Sequence, residues 1–377
     1  MPHPFAPERA LFPILASKAQ LSSCSQSALA QPVAQAIQDY LQGWSERGMD
    51  WMGWMTAVND ARAEFARLIN ARPEDIAVLS SVSDAASAIA SALDFGAERN
   101  GIVVSEIDFP SVGHVWLAQE RKGAQVRFVP ADEGFGTSVE AYAAAIDART
   151  RLVSVSHVAY GNGFRQDVAS IARLAHAQGA LVFVDAYQSA GAMRIDVQRE
   201  PVDMLAAGAQ KFLLGCPGIA FLYVRPEVAA TLLPANTGWF GRVDPFAFDI
   251  RRLDFAPGAC RFQTGTPPMI NSAAAAAGLR LLNGLDMGQV EAWLRHLSEV
   301  ALAEVRRSGL VTASPTDLAR KGANTAVRVR DAATAEKALA AQGYVVSARN
   351  DVIRVAPHFY NTEEEVVGAL RALARLA

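Results

Sequence analysis

From about residue 60 to 245 the chain alternates between short β-branched runs and Ala-rich stretches with helical spacing. The runs fall at 76–79, 101–105, 125–129, 151–155, 180–184 and 220–224. Most are apolar on both faces, as a parallel sheet covered by helices on both sides requires. Residues 84–93, 138–146 and 168–178 fill intervals between them as predicted helices. The pattern predicts a doubly wound α/β unit with ligands at the carboxyl ends of its strands. After Pro267-Pro268 the character changes. Residues 271–307 read as one long helix. A strand at 324–330, a helix at 332–342, strands at 344–347 and 352–355 and a helix at 362–375 follow, a small α+β unit. The first sixty residues begin irregularly and carry Trp44, Trp51 and Trp54. The expected division is an N-terminal arm (1–20), a large unit (21–268) and a small C-terminal unit (269–377).

Composition narrows the function classes. The 377 residues are 51% hydrophobic and 19% charged with net charge −3, an ordinary globular balance that offers no argument for nucleic acid. No apolar run is long enough to span a bilayer, so no membrane role is expected. The apolar stretch at 10–16 follows Glu8 and is broken by Pro13, unlike a signal peptide. Cys24, Cys216 and Cys260 lack metal-type spacing and suit a reducing cytoplasm. The six histidines are scattered, so no metal site is expected.

The candidate chemistry begins at Asp185, which ends the apolar run 181–184, and continues at Lys211, inside the apolar stretch 204–223. A buried ammonium is costly and calls for a reason. Pyridoxal phosphate supplies one: the lysine forms a Schiff base with its aldehyde, and the acid keeps the pyridine nitrogen protonated. Taken alone, Asp185 equally suits a helix cap, and Lys211 suits, less readily, a snorkelling side chain. Gln188 suits the cofactor's phenolic oxygen or a surface turn. The segment Ser80-Ser81-Val82-Ser83-Asp84 offers hydroxyls and free N–H groups at a helix start, an anion site or a plain cap. Gly265-Thr266 is a second phosphate candidate or a turn. Arg354, in an apolar strand, suits a substrate carboxylate or a structural ion pair. Arg349 is a weaker candidate, read more readily as a solvated loop residue. A nicotinamide fingerprint is missing, because Gly161-Asn162-Gly163 is followed by Gln166 where a third glycine belongs.

In their order along the chain these residues resemble the class V aminotransferase superfamily of fold-type I pyridoxal-phosphate enzymes, which includes cysteine desulfurases, selenocysteine lyases and kynureninases. Asp185-Ala186-Tyr187-Gln188 is similar to its Asp-x-x-Gln/His, Gln210-Lys211 to its His-Lys or Tyr-Lys, and Arg354 through Thr362 to its carboxylate-binding segment. The resemblance implies a mainly parallel seven-stranded sheet, pyridoxal phosphate on Lys211, and Asp185 at the ring nitrogen. It places Val82 and Ser83 at the phosphate, Gln188 and Gln210 beside the cofactor, and Arg354 on the substrate α-carboxylate. Phe109-Pro110-Ser111 resembles a kynureninase segment whose Phe stacks on the cofactor ring. The segments around Trp239 and Thr266 resemble parts that reach the neighbouring subunit's cofactor, implying a homodimer. The chain departs from kynureninases at Val112 and Gln210. It also lacks the desulfurase cysteine, since residues 347–351 hold none, which argues against persulfide transfer. The expectation is an enzyme acting on a small amino acid, by transamination or Cβ elimination. A kynureninase-like hydrolase or an epimerase is the alternative, and a non-catalytic cofactor binder is a different class.

Overall fold

A computed structural model describes residues 3–132 and 136–376. Seven strands form the main sheet: β1 (Ile76–Leu79), β2 (Gly101–Ser105), β3 (Gln125–Val129), β4 (Thr150–Ser156), β5 (Leu181–Asp185), β6 (Met204–Gly208) and β7 (Ala220–Val224). Their spatial order is β1-β7-β6-β5-β4-β2-β3. Neighbours from β6 to β3 run parallel, and β7 is antiparallel to both β1 and β6. Alternate residues feed two cores: Val153, Val182, Val184 and Leu205 face one helical layer, while Leu152, Phe183, Met204 and Ala206 face the other. Both faces are therefore covered, as the apolar runs require.

The sheet and its mainly parallel order agree with expectation, but several elements differ. β6 reads Met-Leu-Ala-Ala-Gly, with little β-branching to mark it, and its central burial makes it a strand. The N-terminal region holds two long helices, Gln31–Arg47 and Trp51–Leu68. The second is capped by Asp50, whose carboxylate accepts the Gly53 N–H, and it docks through Phe65 stacked on Phe221 of β7 at 4.6 Å. The predicted long helix is two, Met269–Asn283 and Met287–Arg307. The break falls at Gly284, and Asp286 caps the second helix through the Gly288 and Gln289 N–H groups. The first of the pair packs on Trp51–Leu68, where Arg280 pairs with Asp60.

A second sheet holds β8 (Thr325–Arg328), β9 (Ser347–Arg349) and β10 (Val352–Val355), antiparallel in the order β9-β10-β8. The N-terminal segment is tied to this part of the chain. Ala19–Gln20 pairs in parallel with Tyr344–Val345, and Arg9 meets Glu365 at 2.6 Å. The last helix, Glu363–Ala374, starts on a capping box between Thr362 and Glu365. Among the described residues no helix is long and apolar enough to cross a membrane.

In the strand order, β4 and β2 flank the point where successive strands depart in opposite directions. Ligands of such sheets bind outside the carboxyl ends near this point. The ends there are Ser105, Ser156 and Asp185.

Candidate active site

Asp185 is buried at the end of β5, and its Oδ1 accepts the Tyr187 N–H at 2.9 Å. Burial raises its pKa, while that N–H and the charge of Lys211 oppose the rise. Lys211 lies beyond β6 in an apolar turn. Its Nζ stands 3.9 Å from the Tyr187 ring centroid and 5.6 Å from that of Phe109. Burial lowers its pKa to about 8, with Asp185 pulling the other way. A neutral, nucleophilic amine is therefore accessible near physiological pH. Gln210 and Lys211 are strapped down by residues from far away in sequence. The Gln210 Nε2 donates to the Ser25 carbonyl at 3.2 Å, the Ser27 N–H donates to the Gln210 carbonyl at 3.2 Å, and the Ser27 hydroxyl donates to the Lys211 carbonyl.

Arg354 occupies the middle strand of the second sheet with 1% exposure. Its Nη1 donates to the Tyr160 carbonyl at 2.9 Å, and its Nη2 to Ser25 Oγ at 2.9 Å and Ser347 Oγ at 2.7 Å. Its Nε has no partner, and among the described residues no carboxylate lies within ion-pair distance of it. A buried guanidinium held by neutral oxygens is preset for an external anion. The Tyr160 ring packs edge-on against Phe109 at 5.0 Å, which links Arg354 to the Lys211 cluster. At the other end, the helix Val82–Ala92 starts on Ser81, whose hydroxyl accepts the Asp84 N–H at 3.0 Å. The first-turn N–H groups of Val82 and Ser83 remain outside that helix's ladder, where an anion is favoured.

Other candidates sit differently. The Gln188 side chain is buried, but its Nε2 donates to the Cys24 carbonyl at 2.9 Å, leaving Oε1 without a partner. Trp239 packs instead against Trp51 at 5.8 Å, edge-on against Phe240 at 4.5 Å and stacked on Phe248 at 6.2 Å, and Thr266 is exposed. Neither contacts Lys211 within this chain. Asp203, which lies between Asp185 and Lys211 in sequence, is a clamp at the opposite end of the sheet. Its Oδ2 accepts the Val182 N–H at 2.8 Å and meets His176 at 2.8 Å.

The structure adds residues to which the sequence assigned no role. Tyr187 faces Lys211, Ser25 and Ser347 hold Arg354, and buried Cys24 holds Gln188. Asp108 accepts the Ser156 N–H at 3.0 Å, and burial, aided by the charge of Asp185, raises its pKa to about 7. His157 is buried with its pKa lowered to about 4 by desolvation, and so is neutral. A Cys or Ser in a loop-like N-terminal segment carries no periodic signal. Only the crossing of residues 23–28 over the turn at Lys211 brings them in.

The residues present fit pyridoxal phosphate. Helix N–H groups at Val82 and Ser83 suit its phosphate, and buried Asp185 suits its ring nitrogen. Lys211 Nζ suits its aldehyde, and the unpartnered Gln188 Oε1 marks a polar position inside the protein awaiting a ligand.

Residues 21–372 match the family model described as Aminotransferase class-V. A protein named uncharacterized aminotransferase YcbU, from Bacillus subtilis (strain 168), is 42% identical over 369 residues, covering 97% of this chain and 96% of its own length. Isopenicillin N epimerase of Streptomyces clavuligerus is 29% identical over 81% of each chain. Kynureninases match at 26–31% identity. The apo cysteine desulfurase of Thermococcus onnurineus NA1 superposes with a TM-score of 0.88 at 22% identity, covering 100% of this chain and 98% of its own. With the match spanning nearly all of its length, the chain belongs to the class-V aminotransferase family and is an enzyme that works with pyridoxal phosphate.

Proposed function

We propose that this enzyme acts on a small amino acid, by transamination or Cβ elimination, with Lys211 as the catalytic residue. The observation that carries the reading is Lys211 itself: a half-buried lysine whose amine desolvation makes less basic, beside Asp185 and within reach of an arginine that has no carboxylate of its own. Bound pyridoxal phosphate supplies an electron sink for a bond breaking at the substrate Cα. The chain supplies the rest. Arg354 grips the substrate α-carboxylate through its planar fork, and the bonds to Tyr160, Ser25 and Ser347 fix the fork's angle. Lys211 takes and returns the Cα proton, a task for which a pKa near neutrality is well matched. Asp185 stays ionised against the ring nitrogen, whose charge offsets the burial that raises it. Phe109 and Tyr187 cover the amine and keep water away from the reacting carbon.

The hairpin at 347–355 carries no cysteine, which supports transamination or elimination over persulfide transfer. Product analysis tests the reading. Purified holoenzyme is incubated with a panel of amino acids, with and without a keto-acid acceptor. A keto acid derived from the amino-acid donor supports it, because both transamination and elimination end there. Alanine released from the donor in the absence of any keto-acid acceptor, or inversion at Cα without a keto acid, contradicts it in favour of hydrolysis or epimerisation.

A further inference from the structure

β9 and β10 form a tight hairpin joined by Asn350-Asp351, with Asn350 in the left-handed region at φ 47°. Ser347 lies opposite Arg354 and Arg349 opposite Val352. Residues two apart on a strand share a face and lie about 7 Å apart. Arg349 therefore stands on the same face as Ser347, whose hydroxyl accepts from Arg354, one strand step further along. The short turn leaves little slack in this placement.

Arg349 also lines a cavity of about 230 Å³. Tyr160 forms another wall, and Tyr160 is the residue that both holds Arg354 through its carbonyl and packs on Phe109. The cavity thus adjoins the substrate end of the site, with Tyr160 as the shared wall. Three other charged residues line it. Arg328 and Asp351 neutralise each other, and Glu106 accepts the Ala131 N–H at 3.2 Å. Arg349 makes one hydrogen bond, to the carbonyl of its own neighbour Ala348 at 2.9 Å. Among the described residues no carboxylate stands within ion-pair distance of it. Its charge is felt inside the site, where it opposes protonation of both Lys211 and Arg354. Two arginines without carboxylates on one sheet face repel each other, and a ligand with two negative groups relieves that repulsion.

We propose that Arg349 binds the distal acidic group of the substrate, so that the enzyme selects dicarboxylic amino acids of the size of aspartate and glutamate. The inference rests on the pyridoxal-phosphate reading and on Arg354 as the α-carboxylate site. The α-carboxylate occupies Arg354, the side chain passes Tyr160, and its terminal carboxylate meets the Arg349 guanidinium at the cavity wall.

The test is a titration of the holoenzyme with L-aspartate, L-glutamate, L-asparagine and L-glutamine, followed through the absorbance of the bound cofactor. The acids should bind about tenfold or more tightly than their amides, the margin of one charge-assisted contact. Arg349→Gln should shrink that margin to about twofold, and Arg349→Lys should restore part of it. Equal binding of acids and amides to the parent enzyme, or an undiminished margin in Arg349→Gln, overturns the inference alone. A spectrum unmoved by all four amino acids overturns it together with the reading beneath it.

Discussion

Asp185 and Lys211 stood out in the sequence because a charge inside an apolar run needs a partner, and here each finds its counter-influence in the other. Arg354 was legible for the same reason. The residues that tune these three were not. Tyr187, Cys24, Ser25 and Ser347 are ordinary in local pattern, and Cys24 and Ser25 act only because the N-terminal segment crosses over partners some 160 to 330 positions away in the chain. Gln188 was legible as a motif residue, yet its donor is spent on the Cys24 carbonyl, a contact no spacing reveals. Asp185→Asn preserves shape and the Tyr187 contact but removes the charge. Turnover should fall on the order of a thousandfold while the far-ultraviolet dichroism stays that of the parent. Turnover near the parent's would separate Asp185 from the electron-sink chemistry.

At the scale of elements, strands with apolar residues on both faces announced themselves, and β6 did not, since alanines form a strand there only because the sheet centre buries them. Periodicity merged the helices on either side of Gly284 because both carry the same apolar spacing, and the Asp286 cap was too weak a signal against it. The two turns that bear Asp185 and Lys211 are held together at one point. Gly191 has φ 87°, and a Cβ on it would stand 2.1 Å from the Phe212 carbonyl oxygen. Neither the backbone angle nor the space admits a side chain. Gly191→Ala should therefore lower stability by about 1–3 kcal/mol in denaturant unfolding and weaken cofactor binding, by pushing the turn of Lys211 away from Asp185. Parent-like values for both would mean that the two turns move independently.

For the whole molecule, the doubly wound sheet and the second sheet could be read from pattern, while the way the chain ends interleave could not. The 19–20 pairing with 344–345 and the packing of Met269–Asn283 on Trp51–Leu68 are set by tertiary contacts alone. The surface around Trp239 is rich in aromatic and aliphatic side chains. Phe246 is 47% exposed, Phe248 70% and Ile250 96%. Apolar groups gathered in this way mark an interaction surface. With Trp239 and Thr266 outside their own chain's Lys211 cluster, the active unit is expected to be a homodimer in which these segments complete the neighbour's site. Sedimentation should show a dimer. Mixing inactive Lys211→Ala protein with an inactive Thr266 variant, under conditions where subunits exchange, should restore activity. A fully active monomer, or no recovery after proven exchange, contradicts the shared site.

Lys211 as the residue that carries the cofactor is put to the test by borohydride reduction of the holoenzyme followed by peptide mapping. The protein should be yellow and lose its colour on reduction, with the cofactor fixed on the peptide containing Gln210-Lys211-Phe212 and nowhere else. Label on another lysine, including the buried Lys321, or no label at all, would contradict it.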